Sequence, residues 1–467
     1  MKFIHRRWLA LCLITLGLGT AILPTPGAEP ALSIEQRLAH LESAATSSST
    51  VDTGDNAWLL ASTALVLMMT APGLILFYGG LVRRKNVLAT MMHSLILMAV
   101  ASVLWVLVGY SLAFGEGNAF FGNPMQYFML NGVGLEPNGD YAGTIPHQTF
   151  MLFQMMFAII TPALISGAVA ERMKFKAYLV FMILWILLVY CPLAHMVWGK
   201  GGFFNWASGG RVPVMDFAGG MVVHISSGVA ALVCAIVLGR RMGYPHEPMV
   251  PHNVVLSLIG TGLLWVGWFG FNAGSALGAG GLATSAFAAT HFSAAAAALG
   301  WAGMEWLLKG KPSVLGAASG MVGGLATITP ASGFVTIPAA LMIGFVGGVA
   351  CYFAVTKLKH ALQYDDSLDV FGVHGVGSTV GMLLLGFLAS DQINPAIATT
   401  YEVGGTVVSL AGGFGQFINQ VKGVAFTAVF SGVITWVLLF GIKAVMPLRV
   451  SDEEEDSGLD LTQHGES

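Results

Sequence analysis

The chain has 467 residues, of which 55% are hydrophobic and only 10% charged, with a mean hydropathy of +0.74. A soluble domain carries about 25% charged residues, so this composition excludes a soluble protein and defines a polytopic membrane protein. The formal charge of −3 decides little, and no basic stretch interleaved with aromatics speaks for nucleic-acid binding.

Residues 1–28 have the layout of a secretory signal peptide: Lys2, Arg6 and Arg7, an apolar core, then small residues up to Ala28. An uncleaved signal anchor is the alternative. Residues 29–55 form a polar extracytoplasmic segment, with a short amphipathic helix predicted over 33–44. Eleven apolar spans follow, at 56–82, 88–114, 147–170, 177–198, 216–238, 253–277, 282–308, 314–329, 334–355, 370–389 and 422–445. Most approach the roughly 20 residues that a spanning helix needs. The expected architecture is an all-α membrane domain over 56–447 and a cytoplasmic tail over 448–467, whose DEEED run reads as solvated.

The placement of basic residues orients the chain. With the first span starting outside, the cytoplasmic loops hold 14 lysines and arginines and the outer side only Arg37, Lys200, Arg211 and Lys422. The positive-inside rule therefore puts the N-terminus outside and the C-terminus in the cytoplasm. The fifth span carries His224 and the tenth His374. An interval of five spans would insert two such halves in opposite orientations, which predicts two five-helix halves as an inverted repeat plus an eleventh helix.

Small residues stand four apart at Gly316, Gly320 and Gly324, at Ala340, Gly344 and Gly348, and at Gly377 and Gly381. That spacing lets helix backbones approach closely, so these are packing stripes and not a nucleotide loop. The cysteines show no metal or CxxC spacing; Cys191, Cys234 and Cys351 read as small buried residues.

Ionisable residues inside spans mark a pathway or a buried partner. Asp216 opens the fifth span and His224 follows eight residues on, which places both on broadly one side of an ideal helix. A bare cation in an apolar span meets a Born penalty on the order of tens of kcal/mol, which a neutral molecule avoids. Two neutral imidazoles can donate and accept hydrogen bonds along a narrow path and can carry a proton. A small cation able to lose a proton suits such a path; potassium does not.

Seven ordered segments carry a family resemblance: PGLILFYGGLVRRKNVL (72–88), GYSLAFGEGN (109–118), GAVAERMKF (167–175), AHMVWGKGG (194–202), DFAGGMVVHI (216–225), GWFGFNAGSA (267–276) and DVFGVHGVG (369–377). Together they resemble the signature of the ammonium transporter family. The resemblance implies a homotrimer with one conduction path per subunit in the cell (inner) membrane, carrying ammonium or ammonia, with methylammonium as a slower surrogate. By the matched positions it implies an outer recruitment site at Trp198, Phe157 and Ser275. It implies a stacked gate at Phe157 and Phe271, with Asp216 as a buried acid near the vestibule. His224 and His374 become the paired imidazoles of the conduit, flanked by Trp268. It also implies a PII-type signalling protein at the cytoplasmic face, through a tail that resembles the family's in Gly458, Leu459, Asp460 and His464.

Each residue has a plainer reading. Phe157 and Phe271 suit a core, Trp198 an interfacial belt, Ser275 a bond to its own helix, and Asp216 a helix cap. Met155 and Met156 stand where the family often has smaller residues. No cofactor or metal is required, and no nucleophile–base pair points to an enzyme. An ammonium-sensing receptor with little flux is the alternative; such receptors usually carry a fused signalling domain, for which 451–467 is too short. A general cation channel calls for rings of acidic residues, and the spans hold almost none beyond Asp216.

Overall fold

In a computed structural model of the protein, eleven apolar helices follow one another among the described residues. They are α1 Thr53–Leu81, α2 Arg84–Phe114, α3 His147–Val169, α4 Phe175–Trp198, α5 Gly220–Leu238, α6 Val254–Gly274, α7 Gly281–Lys309, α8 Val314–Ile328, α9 Ile337–Leu362, α10 Phe371–Leu388 and α11 Phe414–Val445. The structure describes residues 33–34, 51–398, 401–403, 406–408 and 410–466. The predicted signal peptide, and the 33–44 helix apart from its first two residues, lie outside these. Among the described residues, ten helices are long and apolar enough to cross a bilayer, while α8 has 15 residues. Its chain continues into a fully buried turn at 329–335, so its backbone groups are met by protein.

Helix α3 runs through the middle and buries 20 of its 23 residues. Helix α11 is its opposite: of 32 residues only eight are buried, in a single stripe from Gln416 to Ile442. That stripe is largely polar. Gln420 brackets Met215, accepting from its N–H at 2.9 Å and donating to its carbonyl at 2.8 Å. Ser431 donates to the Ser226 carbonyl at 2.7 Å, and Thr435 accepts from the Trp185 indole at 3.0 Å. Hydrogen bonds between helices do here what hydrophobic burial does in water. They clamp the 213–226 segment that leads into α5.

The four-residue stripes are packing stripes. A Cβ added to Gly344 would strike the Ser293 backbone, and one on Gly348 the Ala297 backbone. Gly324 meets the same two residues from α8, so α7, α8 and α9 close on one another through small side chains. Cys191, Cys234 and Cys351 are buried and free, as composition suggested.

The charge run is solvated at Asp452, Glu453 and Asp456, as expected, but Glu455 is buried and the tail is docked. Two short helices, α12 Asp452–Ser457 and α13 Leu459–His464, dock beside the start of α2. Ser451 and Glu454 form a capping box that starts α12. Glu455 is 1% exposed because Arg449 pairs with it at 2.6 Å and the Met242 N–H donates to it at 2.8 Å. Asp460 accepts from the Ala89 N–H at 2.8 Å. A charge run read by composition alone cannot reveal such partners.

On the same side, Arg241 bridges two buried acids. It donates through Nε and Nη2 to Asp365, at 2.9 and 2.8 Å, and through Nη1 to Glu171 at 3.1 Å. Burial opposes ionisation of Asp365, yet the hydrogen bonds and charge of Arg241 prevail and hold its carboxyl at about 2. A carboxyl depressed on folding stabilises fully above its unfolded value of about 4, and that contribution is lost as pH falls toward 2. Thermal unfolding of purified protein between pH 5 and 2 is therefore expected to show Asp365→Asn lacking about 2 kcal/mol of the wild-type decline.

Candidate functional site

Helices α5 and α10 both open in a π-helical turn, Gly220–Ile225 and Phe371–Gly375, and each turn carries one of the two histidines. Each turn is also capped by an aspartate eight residues before its histidine. Asp216 Oδ1 accepts from the N–H groups of Gly219 (2.9 Å) and Gly220 (2.5 Å), and Oδ2 from Met221 (2.8 Å) and Val222 (3.4 Å). Asp366 Oδ2 accepts from the Phe371 N–H at 2.8 Å. The repeat of this unit in α5 and α10 is what the inverted halves require. Asp216 itself lies before the helix, so the ideal-helix argument linking it to His224 does not apply. The chain turns at Gly219, whose φ of +113° favours glycine, and only then enters α5.

The two histidines meet because their helices nearly touch. A Cβ on Gly228, one turn beyond His224, would strike Gly375, the neighbour of His374. The imidazoles lie 13° from parallel, with Nδ1 to Nδ1 at 3.1 Å. One Nδ1 must therefore donate and the other accept, which leaves the two Nε2 atoms with opposite character. His224 Nε2 is buried with no protein partner. Trp268 stacks on His224 with ring centroids 5.4 Å apart, and its indole N–H donates to Thr329 Oγ1 at 2.9 Å.

Thr329, which sequence reasoning missed, fixes that indole. Its signal is slight, one hydroxyl among Thr327, Thr329 and Ser332 at the end of an apolar helix. Thr329→Val would strand a buried N–H, and a stability loss of about 1–3 kcal/mol is expected in thermal unfolding followed by tryptophan fluorescence. Asp366 was legible in principle, since the spacing of aspartate and histidine occurs twice.

Next to His224 lie two phenyl rings. Phe157 and Phe271 are 1% and 0% exposed, with centroids 4.3 Å apart. Phe271 lines a small inner cavity of about 10 Å³ with His224, His374, Trp268, Leu264 and Val322. That is about the least volume that can hold one water, and the walls are almost wholly apolar. Phe157 faces the other way, into an outer vestibule of about 360 Å³ that Trp198, Asp216, Phe217 and Ser275 also line. Trp198 meets Phe157 edge-on at 5.9 Å and donates its indole N–H to the Asp216 carbonyl at 3.0 Å. Ser275 donates to the Phe271 carbonyl at 2.8 Å, which leaves its oxygen free to accept. Met156 is buried and Met155 half-buried beside Phe157. The structure places all eight sequence-predicted residues on two cavities joined by the Phe157–Phe271 contact: Trp198, Ser275, Asp216 and Phe157 on the vestibule, and Phe271, Trp268, His224 and His374 on the inner cavity.

The chain is thus a helical membrane bundle with an outer vestibule, a pair of packed phenyl rings beneath it and a small, mostly apolar cavity beside two imidazoles in contact. The profile of the Ammonium Transporter Family matches residues 57–467. An ammonium transporter of Bacillus subtilis is 48% identical over 413 residues, 88% of this chain and 98% of that protein. The crystal structure of Saccharomyces cerevisiae Mep2 superposes with a TM-score of 0.76 at 34% identity, over 87% of this chain and 92% of that one. A sensor Amt protein has a similar fold, with a TM-score of 0.78 at 26% identity, over 88% and 98%. The chain belongs to the ammonium transporter family.

Proposed function

We propose that this protein transports ammonium by shedding and relaying its proton. Ammonium is recruited in the outer vestibule, where the faces of Trp198 and Phe157 attract a cation by about 0.5–2 kcal/mol each and the Ser275 oxygen accepts an N–H. The Asp216 carboxylate adds negative potential, but its four backbone donors make its first task the start of α5. The Phe157–Phe271 pair separates this site from the conduit, so passage requires the rings to move.

Below the rings a hydrated ion does not fit and a bare one is heavily penalised. Ammonium therefore gives its proton to the unprotonated Nε2 of the imidazole pair, the bridging Nδ1 proton shifts to the other ring, that ring releases its Nε2 proton, and ammonia continues. The observation that carries the reading is the imidazole pair at 3.1 Å within an apolar cavity. Ammonia can accept from one Nε2 and donate to the other. A proton arriving at one end can be passed on by exchange across the Nδ1 bridge. Residues 1–28 act as a signal peptide, 56–447 as the conducting domain in the inner membrane, and 448–467 as a cytoplasmic tail. The family resemblance supports a homotrimer and a PII-type partner on the tail face. No step calls for a cofactor.

Uptake of labelled methylammonium into proteoliposomes tests the reading. It should saturate, be displaced by ammonium and ignore potassium. Vesicles that bind but do not accumulate the amine would favour the receptor alternative.

A further inference from the structure

The vestibule mouth holds an ammonium group of the chain's own. Lys200 lies two residues beyond Trp198, and its Nζ sits 2.9 Å from Asp140 and 3.6 Å from Glu116, both on the 115–146 loop. Its backbone N–H points to the Tyr141 hydroxyl at 3.4 Å, and that hydroxyl donates to the Phe114 carbonyl at 2.5 Å. Among the described residues lining the vestibule, the charged ones are Asp140, Lys200 and Asp216. The Asp216 carboxylate is occupied by four backbone N–H groups. Asp140 is then the lining carboxylate whose oxygens are not taken by backbone donors, and Lys200 sits on it.

We infer that Lys200 sets the affinity of the vestibule for its cation: its ammonium occupies Asp140 and Glu116 and keeps the mouth from concentrating free cations. The inference rests on the ammonium-transport reading above. The three side chains are 48%, 40% and 69% exposed, so their ion pairs add little to stability. Their effect is on the field. Removing Lys200 leaves Asp140, which lines the cavity of about 360 Å³, and Glu116 behind it uncompensated, and their potential acts on a recruited cation. An occupant resembling a methylated amine is already in place, since a lysine side chain ends in an alkylammonium.

The test is the KM for methylammonium uptake into proteoliposomes, with Vmax and an equilibrium Kd measured beside it. Wild type, Lys200→Met, Lys200→Arg and Asp140→Asn are compared at ionic strengths of about 0.01 and 1 M, set with choline chloride. At low salt Lys200→Met should lower KM and Kd about threefold with Vmax unchanged. Asp140→Asn should raise both, and Lys200→Arg should match wild type. At about 1 M the Debye length is about 3 Å and the differences should vanish. Lys200→Met with KM and Kd unchanged or raised at both salts overturns the inference and leaves the pair as a strap for the loop. Binding without uptake in wild type overturns the transport reading, while the Kd ratio still decides Lys200. Absence of both overturns both.

Discussion

Asp216→Ala is expected to abolish methylammonium uptake and to lower the stability of the protein by at least about 3 kcal/mol. Four buried N–H groups, on Gly219, Gly220, Met221 and Val222, would lose their only described acceptor. Each buried donor left unmet forfeits about 1–3 kcal/mol, and relaxation of the turn recovers part of the sum. The carboxylate also complements the positive end of α5. The loss spreads outward, because the Asp216 carbonyl holds the Trp198 indole, and inward, because this turn presents His224. Asp216→Asn keeps the volume but replaces one acceptor by a donor facing backbone donors, so it should fall between wild type and alanine. Thermal unfolding and uptake of the purified variants decide the matter. An alanine variant with a wild-type Tm and wild-type uptake would show that the cap is dispensable.

His374→Ala is expected to separate proton movement from ammonia movement. It removes the partner of His224 Nδ1 and leaves both nitrogens of a buried imidazole without a protein partner. The relay is cut, so ammonium-driven current should fall at least about tenfold, a modest figure beside the roughly hundredfold that a positioned proton-transfer group commonly supplies. The cavity beside Trp268 and Val322 grows, so neutral ammonia still passes and alkalinises the vesicle lumen. Lumen alkalinisation without current is the expected signature. A variant with undiminished current and unchanged amine selectivity would remove the imidazole pair from the proton path.

Much of this was legible in the sequence because membrane physics leaves strong marks. Apolar runs gave the spans, and histidines in apolar, glycine-rich surroundings stood out as anomalies. The small-residue stripes were read correctly as packing because their four-residue period admits little else. What escaped is what depends on distant partners. The Gly228–Gly375 approach that brings the imidazoles together joins residues far apart in the chain. The docking of the tail escaped because Met242, Asn86 and Ala89 supply its partners, and no charge count reveals them. Asp216 was placed inside a helix because an apolar run does not show where a π-turn begins. Phenylalanines 157 and 271 had only the family resemblance to lift them above the other aromatics.

The central claim, that ammonium gives up its proton to the imidazole pair and continues as ammonia, is tested most directly by an ammonium jump across proteoliposomes. Current and luminal pH are recorded together, at several pH values and against potassium. The account predicts a sustained inward current with ammonium, none with potassium, and loss of that current in His374→Ala while the lumen still alkalinises. A potassium current of similar size through wild type, or ammonium current without any dependence on His224 and His374, would contradict it.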